Sequence, residues 1–199
     1  MSAVLVVARY TENLDWLQQV PIQKVVYNKG PYLPNCVVAS NIGREAHTYL
    51  SFIIDHYDHL PEKVFFTQGD PFPHSPDFLR LLHEACNQPF EFISLGNIAT
   101  ELTRRSHSHP GIEKGIQDMF HEMIGYCPTT IFFPSGALFG YSREFIYKHP
   151  LSFWQSLLQK CIASYEQPNC QHENYHRQQP CGCQNPYSPW CLERLWFYL

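Results

Sequence analysis

The sequence lacks every glycine-rich nucleotide fingerprint: neither G-x-G-x-x-G nor a Walker loop occurs, so dinucleotide and P-loop chemistry have no motif to rest on. It has no internal repeat, and no apolar run approaches the roughly 20 residues that span a bilayer. Charge is sparse, at 16% Asp, Glu, Lys and Arg, and the net value of −4 leaves no basic footprint. A nucleic-acid backbone is therefore not expected as a partner. The opening MSAVLVVARY lacks both a basic leader and a small-residue cleavage site, so it reads as a first core strand and not a signal peptide. The expected location is cytoplasmic, a reducing setting that weighs against a disulfide framework for the 8 cysteines.

What is present fits one globular domain over residues 1–199: 44% hydrophobic residues, with aromatics high at 15%. Residues 3–8, AVLVVA, read as a strand buried on both faces. A short helix over 12–19 and a strand KVVYNKG, closed by an Asn-Lys-Gly turn, come next, and residues 31–40 read as loop. From about Asn41 to His59, Ile42, Ala46, Tyr49, Leu50, Ile53, Ile54, Tyr57 and Leu60 recur at helical spacing as one apolar stripe. VFFTQ then reads as another buried strand, which Pro71 and Pro73 stop, leaving Gln68 to His74 as a loop at its carboxyl end. Further on, a helix over 78–85, a strand EFISLG and a polar, mobile loop over 97–109 are expected, followed by a helix opened by Pro110. Two extended pieces flank Pro134–Gly136, and helices are expected at SFWQSLLQKC and CLERLWFYL. Alternating strands and helices predict an α/β fold with a mostly parallel sheet.

In such sheets ligands bind beyond the carboxyl ends of the strands. Those ends carry Arg9, Tyr10 and Glu12, then Asn28 and Lys29, then Gln68, Gly69, Asp70 and His74. Arg44 falls in the first turn of the long helix, where a cation is disfavoured unless an anion joins it. A phosphate would suit the position; Glu45 or solvent could equally neutralise it. Asp70 and His74 could ligate Mn²⁺ or Mg²⁺ with oxygens supplied by a substrate phosphate. Asp70 could also simply cap its loop.

Residues 164–189 form an irregular segment holding Cys170, His172, His176, Cys181 and Cys183. With Cys191 they suit structural zinc in ligand type, although a CGC pair is an unusual spacing for it, and disulfides or free thiols are the alternatives. Cys36, Cys86, Cys127 and Cys161 lie in apolar surroundings and read as buried free thiols. Glu193 is either a helix-dipole partner or a general base.

The blocks VVARYTENLDWL, VYNKG, NIGREAHTYLSFIIDHY, VFFTQGDPFPH, ALFGYSREFI and LERLW resemble, in order, a family of uncharacterised proteins from fungi, algae and large DNA viruses. That family is similar to the nucleotide-sugar glycosyltransferases of the GT-A (Rossmann-like) fold. The resemblance implies transfer of a sugar from a nucleoside diphosphate to a hydroxyl of a glycan or glycoprotein. It implies that Asp70 stands, with His74, where relatives carry an Asp-x-Asp metal site. Arg9, Tyr10, Glu12, Lys29, Arg44, Gln68 and Gly69 would face the donor, with the cations balancing phosphate charge. Ser135, Gly136 and Arg143 would face the acceptor, and Glu193 would be its base. Two rival readings are a catalytically degenerate glycan- or nucleotide-binding protein on the same scaffold, and an interaction module stapled by zinc.

Overall fold

The computed structural model describes residues 2–104, 113–166 and 187–199, with side chains described over 2–104, 113–162 and 188–199. Cys170, His172, His176, Cys181 and Cys183 lie outside these residues. The main sheet has six strands in the order β3-β2-β1-β4-β8-β5. In chain order these are β1 (Ala3–Arg9), β2 (Gln23–Asn28), β3 (Val37–Val38), β4 (Lys63–Gln68), β5 (Phe92–Ser94) and β8 (Phe139–Ser142). The pairs β1–β2, β2–β3 and β1–β4 are parallel, whereas β8 runs antiparallel to both β4 and β5. The sheet is thus mostly parallel and helix-flanked, as the alternation of elements predicts.

The continuous apolar runs have a direct cause. Val4, Val6, Val64 and Phe66 point into one hydrophobic cluster, and Leu5, Val7 and Phe65 into another on the opposite face. Because side chains alternate along a strand, a strand covered on both faces must be apolar at every position. The first face is covered by α1 (Arg44–Asp55), α3 (Glu113–Ile124), α5 (Leu151–Glu166) and α6 (Tyr187–Leu195). The second is covered by a 3-10 turn at Asp15–Gln19 and by α2 (Phe78–Cys86). A brief α4 (Arg143–Ile146) follows β8.

Three expectations are corrected. The helix expected from Asn41 to His59 starts at Arg44 and ends at Asp55, because Gly43 and Arg44 both take left-handed backbone (φ 59° and 49°) and Tyr57–His59 tightens into a 3-10 turn. The loop expected over 97–109 contains a strand, β6 (Ile98–Leu102), and β7 (Thr130–Pro134) pairs antiparallel with it in a separate two-stranded sheet. Its core-side residue is a charged one, Glu101, and that polarity disguises the strand. Of the cysteines read as buried free thiols, Cys161 is buried, but Cys36, Cys86 and Cys127 are partly exposed; all four are free. Among the described residues no helix is long and apolar enough to cross a membrane.

The Asn-Lys-Gly turn is as tight as its sequence suggests. A Cβ placed on Gly30 would lie 1.7 Å from the Tyr10 carbonyl oxygen, a backbone atom with nowhere to go. Gly30→Ala should therefore force the loops after β1 and β2 apart and cost roughly 3 kcal/mol or more, at the severe end for point substitutions. A denaturant midpoint matching wild type would refute this.

Candidate active site

The chain leaves β1 outward through β2 and β3, then returns by way of α1 to β4 on the other flank of β1. The loops after β1 and β4 therefore leave adjacent strand ends, Ala8 being level with Gln68, and both lead to elements on the same face of the sheet. Open α/β sheets take ligands beyond carboxyl ends of this kind. The loop after β1 closes on itself, with Glu12 Oε2 accepting from the backbone N–H of Tyr10 (2.6 Å) and Thr11 (3.0 Å). Glu12 also packs on Gly69, where a Cβ would come within 2.7 Å of that same oxygen, and Trp16 Nε1 donates to the Gly69 carbonyl at 2.9 Å. These contacts make Gly69 a required glycine and pin the start of the Gln68–His74 loop.

On that loop Asp70 is exposed, and its Oδ1 accepts from the Phe72 N–H at 3.3 Å, a turn-capping bond. His74 is exposed as well, and its ring lies over Gly136: a Cβ there would stand 2.6 Å from His74 Cδ2. Gly136, at φ 70°, is gripped from two further sides. Gln68 Nε2 donates to its carbonyl at 2.7 Å, and its own N–H donates to Glu193 Oε1 at 2.9 Å. The turn at Ser135–Ala137 thus joins the end of β4 to α6, and Ala137 takes a left-handed φ of 52° beside it. Strain of this kind persists only where surrounding contacts over-determine it, and it clusters at functional sites.

Glu193 is the chemically poised group. Its side chain retains 17% exposure, and Oε2 lies 3.0 Å from Arg194 Nη1. Burial pushes its carboxyl up to about 7, and the nearby Glu45 pushes the same way; Arg194 and the Gly136 N–H oppose them. A carboxyl that titrates near neutrality suits proton transfer.

The cations expected to meet phosphate are largely occupied by the fold. Arg9 Nη1 donates to Asn28 Oδ1 (2.7 Å) and its Nε to the Glu12 carbonyl (3.0 Å), fastening the loops after β1 and β2. Lys29 is buried, and its Nζ donates to the Ile42 carbonyl at 2.7 Å and to that of Arg44, tying down the entrance to α1. Burial lowers its pKa to about 8. Arg44 stays partly exposed, with its guanidinium carbon 5.2 Å above the Trp190 ring and Nε 3.5 Å from Glu45. Arg143 is elsewhere. Because β8 is antiparallel to β4, Ser142 pairs with Lys63 at the amino end of β4, and Arg143 Nη1 reaches the Leu60 carbonyl at 3.4 Å. It stands at the sheet edge opposite Asp70 and cannot share a subsite with Ser135 and Gly136.

Among the described residues no three His, Cys, Asp or Glu side chains gather closely enough to hold a metal. A cation on Asp70 and His74 would thus draw on substrate oxygens. Cys191 is a buried thiol, pushed up to about 12 by burial, and it packs on α3 where a Gly115 Cβ would stand 3.1 Å from Sγ.

Sequence reasoning missed the surroundings of Glu193. Arg194 and Glu101 form a buried ion pair at 2.8 Å, and Tyr49, read only as part of an apolar stripe, has a buried hydroxyl with no partner. His47 Nδ1, Thr48 Oγ1, Ser75 Oγ and Trp196 Nε1 are buried and unpartnered too. The i, i+4 spacing of Glu45 and Tyr49 was the available signal.

His47 and Glu193 act oppositely on stability. Burial lowers the His47 pKa from 6.5 to about 4, so its neutral form favours the fold and stability is lost as pH falls through 6.5 toward 4. The raised Glu193 favours the fold when protonated, so stability is lost as pH rises from 4.5 to 7. The two slopes oppose each other between about pH 4.5 and 6.5. Glu193→Gln should remove one of them and leave stability that climbs with pH across this window, measurable by denaturant titration at stepped pH.

The fold and the site define the protein as an α/β chain with a cluster of polar residues at the carboxyl edge of a mostly parallel sheet. Residues 5–85, under half of the chain, match a family profile described as "Protein of unknown function (DUF3431)", which supports kinship with an uncharacterised family. The matched stretch runs from β1 to α2, containing Arg9, Lys29, Arg44 and the Gln68–His74 loop but neither Gly136 nor Glu193. No curated protein and no solved structure matches the chain.

Proposed function

We propose that the chain is a glycosyltransferase of GT-A type that moves a sugar from a nucleoside diphosphate to a hydroxyl of a glycan or glycoprotein. The observation that carries the reading is Glu193, a carboxyl raised to about 7 and bonded to the turn that Gln68 and His74 also grip. Glu193 takes the proton of the acceptor hydroxyl as that oxygen bonds to the anomeric carbon. The bond from that carbon to the diphosphate breaks, and its electron pair leaves with the diphosphate. Stabilising the leaving group is usually the larger electrostatic effect. Here Asp70 and His74 would hold a divalent cation against it, which supplies Lewis-acid stabilisation when bound, and Arg44 would add positive charge from the start of α1. The polar residues at the carboxyl ends of β1 and β4 support donor binding beside Tyr10, Glu12 and Gly69.

A second reading, a nucleotide- or glycan-binding protein without turnover, draws support from Asp70 standing alone and from its turn-capping bond. One experiment separates the two. Purified protein is offered a panel of nucleotide sugars with and without Mn²⁺, and turnover and binding are both measured. Hydrolysis of, or transfer from, at least one donor is expected, with Asp70→Ala lowering it. Binding without turnover, unchanged by Asp70→Ala, would favour the binding protein. Binding to no donor would overturn both. The zinc-stapled module rests on residues outside those described, and elemental analysis tests it directly.

A further inference from the structure

Arg194 holds two carboxylates at once. Its Nε donates to Glu101 Oε2 at 2.8 Å and its Nη1 to Glu193 Oε2 at 3.0 Å. The same Nη1 donates to the Trp190 carbonyl at 3.0 Å, one turn back along α6. The guanidinium carbon also lies 4.5 Å from the centroid of the Phe133 ring. The head group is thereby fixed by β6, β7 and its own helix, and it fixes Glu193 in turn. The Gly136 N–H holds the other oxygen, Oε1, at 2.9 Å. A carboxylate has about four lone-pair sites, so these two bonds leave room for a proton.

The inward position of the acid on β6 is the telling feature. Ile98 and Leu102 on that strand are exposed, whereas the Glu101 side chain is 3% exposed. A buried ion pair adds little stability over apolar side chains of similar volume. Its distinctive effect is electrostatic. A guanidinium that already faces one carboxylate presents less net positive potential to a second.

We propose that Glu101 is a positioning residue for Glu193, acting through Arg194: it fixes the guanidinium that orients Glu193, and it offsets the positive charge that would otherwise hold Glu193 ionised. Losing the Glu101 charge leaves Arg194 to Glu193 and makes Glu193 the stronger acid; losing Arg194 makes it the weaker. Glu45 and Arg44 act on Glu193 from α1, where burial keeps the nearby Tyr49 hydroxyl protonated. His74 stands across Gly136, and Asp118 of α3 lies toward Cys191 on the Arg194 side. All of these groups are retained in the variants that test the proposal.

The service of Glu101 to an acceptor base rests on the transferase reading; its effect on Glu193 does not. Protein carrying ¹³C-carboxyl glutamate is therefore titrated by NMR without substrate, the Glu193 signal being assigned by its loss in Glu193→Gln. Glu101→Gln, whose carbonyl can still accept from Nε, should move the Glu193 midpoint down by about half a unit to one unit. Glu101→Asp keeps the charge and should restore most of the wild-type value. The double variant Arg194→Met with Glu101→Leu should move the midpoint up, because the cation lost was in direct contact with Glu193. Thermal melts confirm folding, and the double variant keeps the test decisive should Glu101→Gln not fold. A midpoint unmoved or raised in Glu101→Gln, even with a lowered melting temperature, reduces Glu101 to a structural residue and overturns the proposal. A midpoint that does not rise in the double variant overturns the role of Arg194. Should the midpoints shift as expected while no donor is turned over, the Glu101–Arg194 role stands and the transferase reading falls.

Discussion

On the proposed transferase reading, Glu193→Gln should abolish most sugar transfer while leaving the fold and donor binding in place. A positioned base typically contributes 10²–10⁴-fold, and a loss in that range is expected in kcat with little change in the donor KM. The substitution is well suited to the test, because the glutamine carbonyl can still accept the Gly136 N–H that Glu193 now accepts at 2.9 Å. What disappears is the ability to take a proton, together with the bond that Arg194 Nη1 gives to Oε2 at 3.0 Å, which an amide NH2 cannot accept. In wild type the acid limb of kcat/KM should fall with a midpoint near 7, the value to which burial raises Glu193. In Glu193→Gln the residual rate should lose that limb. A variant with wild-type turnover would remove Glu193 from the reaction altogether.

Arg194→Met should be the most damaging single change to stability. Arg194 and Glu101 have side-chain exposures of 1% and 3% and meet at 2.8 Å, and the guanidinium also lies 4.5 Å from the Phe133 ring centroid. Removing Arg194 takes a compensating charge from both Glu101 and Glu193 in a poor solvent, and breaking a buried pair in this way costs about 3–5 kcal/mol. For a chain of this size that is a fall in melting temperature on the order of 10 °C. The double replacement Arg194→Met with Glu101→Leu should recover most of the loss, since apolar packing can stand in for a buried ion pair. If the double variant is as unstable as the single one, packing of the arginine stem and its bond to Glu193, and not the pairing with Glu101, are responsible.

The same pair explains why the site could be only partly read from the chain. The strand ends could be read: AVLVVA and VFFTQ are apolar at nearly every position because each is covered on both faces, so their polar termini at Arg9 and Gln68–His74 had to mark the edge of the sheet. Glu193 was legible only as a carboxylate near a terminal aromatic helix. Its raised pKa comes from burial beneath α1 and from Glu45, about 150 residues away in the chain. No local pattern encodes that distance. Lys29 and Arg9 looked like ligands for phosphate because they are cations at strand ends; the loops they fasten became visible only with their backbone carbonyls in place. Arg143 was drawn toward the site by its neighbours in sequence, Ser135 and Gly136. The antiparallel run of β8 carries it to the far edge, and strand direction is a property of pairing that a strand's own composition does not state.

By itself, the sequence determined the α/β class, the two-sided burial of β1 and β4, the glycine turn at Gly30, and the loop that Pro71 and Pro73 impose after β4. These follow from local rules: side-chain alternation, proline's missing N–H, and the backbone freedom of glycine. Tertiary structure alone decided that the Gly136 turn, the β4 loop and α6 meet, and that Arg194 is buried against Glu101. The physical reason is that desolvation and charge–charge interaction depend on distance in space, whereas the chain records only distance along itself.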